Sequence, residues 1–352
     1  MTAHRPPAAS ATRPARITMQ DVARAAQVSQ TAVSLVLNQR AGANIPPETR
    51  ARIQAVAAQL GYRPNAMARA LRQGNSSLLG LVTDEIATTP FAGDIVRGAQ
   101  QAAWQQGRIL TLVNTDHQSA LEQEALSALL QHQIEAYLLA SMAHRSLQLP
   151  ALLRGHPVVL VNASSDDPTL PSVVPDELRG GREATEHLLA LGHRRIGLID
   201  NLDDSVAATL RVTGYQQALR QAGLAVDPTL MVKLSGWQEA GFAGALALLQ
   251  QPRRPSALFC LNDRAAMGAL DAARELGLRV PEQLSIIGFD NQELIAAHLR
   301  PRLTTMQLPH YEMGAWGVRA LLCPEPDGVR QARLHCPLVR RESVQPPGPD
   351  FG

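Results

Sequence analysis

Residues 18–38 read TMQDVARAAQVSQTAVSLVLN, and the spacing inside this stretch decides what the front of the chain is. Thr18 can cap a first short helix whose Val22, Ala23 and Ala26 fall on one face. Ser29 is a second N-cap candidate, placed before a helix that turns Val33, Val36 and Leu37 inward. Gln30, Thr31, Ser34 and Asn38 are then left outward. Small polar side chains at the start of a second helix are what a major-groove reader presents to base edges. The stretch therefore predicts a helix-turn-helix. The same pattern without DNA would be a small packing module that binds nothing.

Charge separates these two readings. Residues 1–76 contain ten arginines against only Asp21 and Glu48, a net +8, whereas the whole chain carries +2 and the remainder therefore −6. A basic head on an acidic body fits a protein that meets phosphate at one end only. Residues 1–16, rich in Pro, Ala and Arg, read as a disordered basic tail. No apolar segment follows their charges, so they do not read as a signal peptide. A third helix is expected to turn Thr49, Arg50 and Arg52 outward and Ile53, Val56, Ala57 and Leu60 inward, with Gly61 ending it. Pro64 then holds Arg63 extended, and Asn65 can cap a short segment running to Arg72.

The 352-residue length leaves room for two further domains. Apolar residues make up 45% and aromatics 3%, so the expected cores are aliphatic. No apolar run approaches the ~18 residues of a membrane span. Cys260, Cys323 and Cys336 have neither metal-site spacing nor an even number, which fits reduced thiols in a cytoplasmic protein. Lys233 is the sole lysine and lies in no phosphate-loop motif.

From Leu78 the pattern changes. Apolar runs at 78–82, 109–113, 136–140, 158–161, 196–199, 230–234, 257–261 and 284–287 alternate with amphipathic stretches. Strands without polar alternation, each followed by a helix, imply parallel sheets covered on both faces. The Pro/Asp-rich break at 166–175 is expected to be the crossover between two Rossmann-like lobes. Ligands of open parallel sheets bind beyond the carboxyl ends of strands. The candidates there are Asp84, Glu85, Asn114, Ser141, Asn162, Asp200, Asn262, Asp263 and Asp290. Taken singly, each is more commonly a loop cap. Around one cleft they would form a polar binding site. No GxGxxG follows a strand, and HExxH and GxSxG are absent, so the chain does not read as an enzyme. No cofactor or metal is expected.

These residues carry a family resemblance. Residues 18–29, AVSLVLN (32–38) and LGYRPNAMARALR (60–72) closely resemble the headpiece of the lactose-repressor (LacI/GalR) family. LLALGHRRIGLI (188–199), LFCLNDRAAMGAL (258–270), LSIIGFDN (284–291) and RPRLTTM (300–306) resemble its effector-binding core. The match spans about residues 17–343. It implies an all-α helix-turn-helix headpiece plus an α/β two-lobe core of the type I periplasmic-binding-protein kind. The implied domains are a headpiece at 17–64, a hinge helix and linker at 65–77, and a core at 78–343. Lobe 1 would comprise 78–174 and 305–325, lobe 2 would comprise 175–304 and 326–343, and 344–352 would be a disordered tail.

The function implied is a cytoplasmic, nucleoid-associated homodimeric regulator, a repressor that binds a pseudopalindromic operator in double-stranded DNA under small-molecule control. The expected DNA-contacting set is Thr18, Ser29, Gln30, Thr31, Ser34, Leu35, Asn38 and Tyr62, with Asn65, Ala68 and Leu71 in the hinge. Leu71 matches a leucine that wedges into the central minor-groove step. Leu35 departs from the family, which usually has an arginine there aimed at guanine. A leucine cannot make that bidentate contact, so the operator should differ from the family's usual half-site.

In the core, Arg211, Asn262 and Asp290 match residues that grip effector polar groups, and Trp237 matches an aromatic that covers the ligand. Phe91 is a second candidate wall, and Asn162 stands where an acidic or amide contact is common. An arginine, acceptors and aromatic faces suit a sugar or sugar derivative, with a purine or nucleoside as the alternative. A sugar-binding transport protein would share the core, but the basic headpiece argues against it. His193 and Arg194 read as a structural turn. The C-terminus carries no leucine heptads, so a dimer rather than a tetramer is expected.

Overall fold

The computed structural model describes residues 17–37, 45–62, 76–89, 92–201, 205–324 and 330–348. Asn38, Asn65, Ala68, Leu71 and Phe91 lie outside the described residues. The chain divides into two compact units, Met1–Ser76 and Ser77–Gly352.

In the first unit, helices α1 (Met19–Ala25), α2 (Gln30–Leu37) and α3 (Pro47–Gln59) surround one small apolar core. Thr18 and Asp21 form a reciprocal capping box: Asp21 N–H donates to Thr18 Oγ1 (3.3 Å) and Thr18 N–H to Asp21 Oδ2 (2.9 Å). Gln27 takes the left-handed conformation (φ 53°) that turns the chain, and Ser29 Oγ then accepts from Ala32 N–H (3.2 Å) to start α2. Val22, Ala23, Ala26, Val33, Val36, Ile53 and Ala57 are buried together, with Tyr62 packed against them.

The second unit runs β1 (Leu78–Thr83), α4 (Gly93–Gln105), β2 (Ile109–Asn114), α5 (Ser119–Gln131), β3 (Ala136–Ser146), β4 (Val158–Ser164) and β5 (Ser172–Pro175). It continues through α6 (Glu177–Ala190), β6 (Ile196–Asn201), α7 (Val206–Gln221), β7 (Met231–Leu234), α8 (Gln238–Leu249) and β8 (Ala257–Cys260). It ends with α9 (Asp263–Glu275), β9 (Ser285–Asp290), α10 (Glu293–Ala296), β10 (Thr304–Gln307), α11 (His310–Leu322), β11 (Gln331–Leu334) and β12 (Leu338–Val339). Two six-stranded sheets result. The first has the order β11-β5-β4-β3-β1-β2 and the second β12-β10-β9-β8-β6-β7. All pairings are parallel except β10 with β12. The central strands are buried almost throughout, as unalternated apolar runs require.

Three expectations are corrected. The break at 166–175 is not wholly a crossover: Ser172–Pro175 adds to the first sheet beside β4, and the chain crosses only at Asp176, which caps α6. The lobe assignment of 305–325 splits. β10 pairs with β9 in the second sheet, while α11 packs on α4 and β4 of the first lobe. Within 326–343, β11 extends the first sheet and only β12 returns to the second. The physical cause is edge pairing: short segments take the free edge that their backbone reaches, whatever their polarity. The expected tail at 344–352 is also anchored in part. Gln345 N–H donates to Ser285 Oγ (3.1 Å), and Gln345 O faces His193 Nε2 at 2.8 Å. His193 also meets Ser256 Oγ (2.9 Å) and is buried, in keeping with a structural turn.

A close approach of α6 and α7 positions the site described next. A Cβ on Gly181 would collide with the backbone of Arg211, and one on Gly214 with that of Leu178. The two helices meet backbone to backbone only because both positions lack a side chain.

Candidate functional site

Helix α6 opens with Asp176 as its cap, followed by Glu177. Glu177, Gly180, Gly181, Ala184, Thr185 and Leu188 form the buried stripe of α6, so the carboxylate starts an otherwise apolar or small face. Glu177 is 1% exposed. Arg211, from the facing helix α7, grips it with a fork: Nε donates to Oε2 (2.6 Å) and Nη2 to Oε1 (3.2 Å). Arg211 Nη1 donates to Asp290 Oδ1 (3.2 Å) at the end of β9 and to the Leu261 carbonyl after β8. The Phe289 ring lies 3.7 Å below the guanidinium carbon. Burial opposes the Arg211 charge, but Glu177 and Asp290 outweigh it and hold the guanidinium protonated. Burial pushes the Glu177 carboxyl up from its usual range, with Arg211 pulling against that.

Asp290 has φ 102°, a left-handed conformation that costs a non-glycine residue energy. Its second oxygen accepts from Gln292 Nε2 (2.9 Å). Behind it Asp263 is fully buried, accepting from Thr305 Oγ1 and from Gln292 N–H, each at 2.6 Å. Burial, then repulsion from Asp290, drives the Asp263 carboxyl far above its usual range.

The first lobe carries a different polar cluster. Asn162, at the carboxyl end of β4, is buried and left-handed (φ 56°). Its amide nitrogen donates to the carbonyls of Ser141 and Met142, both at 3.0 Å. Its Oδ1 is buried with no hydrogen-bond partner. His144 Nδ1 is in the same condition, while Nε2 faces Ser164 Oγ at 3.3 Å. Burial, reinforced by Arg211 and Arg333, brings His144 down to about 4, so it is neutral at pH 7. That Arg211 acts on a first-lobe histidine reflects the packing of α7 against β3. Asp84 accepts from Glu85 N–H (2.7 Å) and Met142 N–H (3.0 Å), and pairs with Arg145 at 3.0 Å. Between the lobes lies a cavity of about 650 Å³, lined by Asp94 and Arg97 of α4 and by Asp290, Gln292, Glu293 and His310.

The structure thus brings Arg211 and Asp290 into direct contact and places Asn162 on the opposite lobe. Asn262 serves elsewhere: Oδ1 caps α9 through Ala265 N–H (2.8 Å), and Nδ2 donates to the Gly236 carbonyl (3.1 Å). Trp237, next to that carbonyl, is 61% exposed with Arg264 stacked 4.4 Å over its ring. Sequence reasoning missed Glu177, Gln292 and His144. For Glu177 a signal was present, since it falls on the apolar stripe of its helix. In the headpiece, Gln30 and Thr31 are exposed at the start of α2, and Ser34 and Leu35 are half-buried. Thr18 and Ser29 have their hydroxyls engaged as caps.

Among the described residues no helix is long and apolar enough to cross a membrane, and no cluster of three or more metal-ligating side chains occurs. A helix-turn-helix joined to two parallel-sheet lobes, with a polar site at their strand ends, defines a ligand-responsive DNA-binding regulator. Residues 18–65 match the family described as bacterial regulatory proteins, lacI family, and residues 76–324 match periplasmic binding proteins and sugar binding domain of LacI family. The transcriptional repressor CytR of Escherichia coli (strain K12) is 34% identical over 93% of this chain and 96% of its own. The lac repressor dimer bound to operator and the anti-inducer ONPF superposes with a TM-score of 0.80 at 27% identity, covering 94% of this chain and 99% of that one. The CelR–cellobiose complex gives 0.67 at 29% identity over 93% and 100%. The chain belongs to the LacI family: it is a ligand-responsive transcriptional regulator.

Proposed function

We propose that this regulator binds a pseudopalindromic operator as a homodimer in the cytoplasm, and that a sugar or sugar derivative in the inter-lobe cavity controls it. The observation that carries the effector reading is the pairing of two polar walls across a cavity of about 650 Å³, a volume suited to a mono- or disaccharide. Asp290, Gln292 and Glu293 line one side and Asp94, Arg97 and His310 the other, with Arg211 directly behind Asp290 and bonded to its Oδ1. The cellobiose bound to the structural relative CelR supports the same class. Exposed Trp237 offers a ring to either a sugar face or a nucleobase, which keeps a nucleoside as the second reading.

For the dimer, β2 is an edge strand, and the large side chains Trp104 (76% exposed) and Ile109 (67%) stand open beside it. Gln30, Thr31, Ser34 and Leu35 of α2 are the proposed base readers, and Leu71 the proposed minor-groove wedge. Because Leu35 is apolar, it would read a thymine methyl rather than guanine.

Thermal-shift screening with sugars, sugar phosphates and nucleosides tests the effector. A sugar should stabilise wild type but not Asp290→Ala, and stabilisation by nucleosides alone would replace the sugar reading. Light scattering should give a dimer, and a stable tetramer would overturn that part. Leu71→Ala should weaken operator binding, and unchanged affinity would remove the wedge.

A further inference from the structure

The strongest feature that the effector reading does not absorb is the charge state of Arg211. An arginine in a ligand cavity ordinarily recruits an anion, because its guanidinium offers five N–H donors and a permanent positive charge. Here four of those five donors are engaged within the protein, by Glu177 twice, Asp290 and the Leu261 carbonyl. Phe289 covers one face. Two carboxylates touch the single guanidinium, so the group as a whole is anionic. Asp263, buried behind Asp290, adds no positive charge.

Arg97, which lines the cavity, is paired as well, with Asp94 (3.1 Å), and on the same lobe Arg145 is paired with Asp84 (3.0 Å) outside the cavity. Arg333, which acts on His144, is exposed on the edge strand β11. His144 is neutral at pH 7. On the first lobe the cavity is lined by Asp94, whose carboxylate can only accept, and by the Arg97 already paired with it. Acceptors on both walls and a neutralised arginine call for a ligand that donates hydrogen bonds. A phosphate or carboxylate would meet repulsion from Asp290 and find at most one arginine N–H.

We propose that Glu177 is a specificity-determining residue that cancels the charge of Arg211, so that the cavity selects neutral or cationic, donor-bearing ligands such as polyols and amino sugars and rejects sugar phosphates and sugar acids. Glu177 acts through Arg211 and is a positioning residue rather than a direct contact. This inference deepens the effector reading above and rests on it for the location of the ligand, but the charge claim is testable without knowing the ligand.

The probe is inorganic phosphate, titrated at constant ionic strength into the full-length protein while thermal stability is followed. Wild type, Glu177→Gln and Glu177→Gln/Arg211→Met are compared, so that phosphate binding by the basic headpiece is common to all three. Wild type should respond no more than the double variant. Glu177→Gln, with Arg211 uncovered, should gain a saturable response at least tenfold tighter, lost again in the double variant. Should Glu177→Gln not fold, Asp290→Asn uncovers the same guanidinium from its other side and should gain the same response. The proposal is overturned if wild type already binds phosphate more tightly than the double variant, or if neither single variant gains affinity. In parallel, wild type is screened with glucose, glucosamine, glucose 6-phosphate, glucuronate and a nucleoside set. Stabilisation by glucose 6-phosphate or glucuronate in preference to glucose and glucosamine also overturns the charge claim. No response to any sugar, with the phosphate result as expected, would instead count against the sugar reading alone.

Discussion

The polar clusters of the two lobes, one reaching the cavity through Asp290 and Gln292 and the other buried around Asn162, are built on opposite principles. On the second lobe, Glu177, Arg211, Asp290, Gln292 and Asp263 satisfy one another through a closed set of hydrogen bonds, so that cluster is fixed before anything binds. On the first lobe, Asn162 and His144 each keep a buried polar atom without a partner. A buried acceptor left unpaired costs about 1–3 kcal/mol, a cost that a new donor would remove. The contrast teaches which side anchors and which side can respond: the saturated cluster holds its shape, and the unsaturated one has most to gain from a change of partners. Such differential gain is the thermodynamic basis by which a ligand shifts a two-lobed protein between states.

The largest expected effect lies in the saturated cluster. Arg211→Ala leaves Glu177 and Asp290 buried and facing each other without a cation, which should destabilise the core by about 3–5 kcal/mol in urea denaturation. A loss below ~1 kcal/mol would mean the network is not the rigid anchor described. Next is pH. His144 binds a proton at about 4 in the folded chain against 6.5 when unfolded, so the unfolded state holds more protons between these values. Stability from this group is complete above about pH 6.5 and falls as the pH drops toward 4, by up to about 3 kcal/mol. His187 and His193, also lowered mainly by burial, act in the same direction. A denaturation series at stepped pH on wild type and His144→Gln should show a shallower acid loss in the variant. Identical slopes would remove His144 from the account.

The smallest effect is expected at Asn162. Asn162→Ala gives up two hydrogen bonds to carbonyls and one orphaned acceptor, losses that partly cancel, so the cost should be about 1 kcal/mol. If it equals that of Arg211→Ala, the two clusters are not different in kind.

These contrasts also mark what the sequence could and could not disclose. Thr18, Asp21 and Ser29 announced the headpiece because capping is local chemistry, readable over four residues. Eight strands were legible because strands of a covered parallel sheet leave uninterrupted apolar runs. β5, β10, β11 and β12 were not: they are no longer than β7 and β8, and none carries an apolar run of more than two residues. β11, moreover, alternates exposed and half-buried side chains on an edge. Their placement depends on which edge lies within reach, a long-range fact, and so the three crossings between lobes, expected from the resemblance, were set at the wrong residues. Arg211 and Asp290 were placed by resemblance and do meet. Glu177, which defines their charge, was passed over because a glutamate is ordinarily taken for a solvent-facing residue. Asn262 shows the converse: its position suggested a ligand contact, whereas both ends of its amide are engaged in holding α9 and the loop before Trp237.

The most direct test of the account takes the sugar or nucleoside that most stabilises wild type and measures its affinity by calorimetry for wild type, Asp290→Ala and Asp94→Ala. If the ligand spans both walls, each substitution should weaken binding by tenfold or more, about 1.4 kcal/mol. Unchanged affinity in both variants would contradict the placement of the effector between the two lobes.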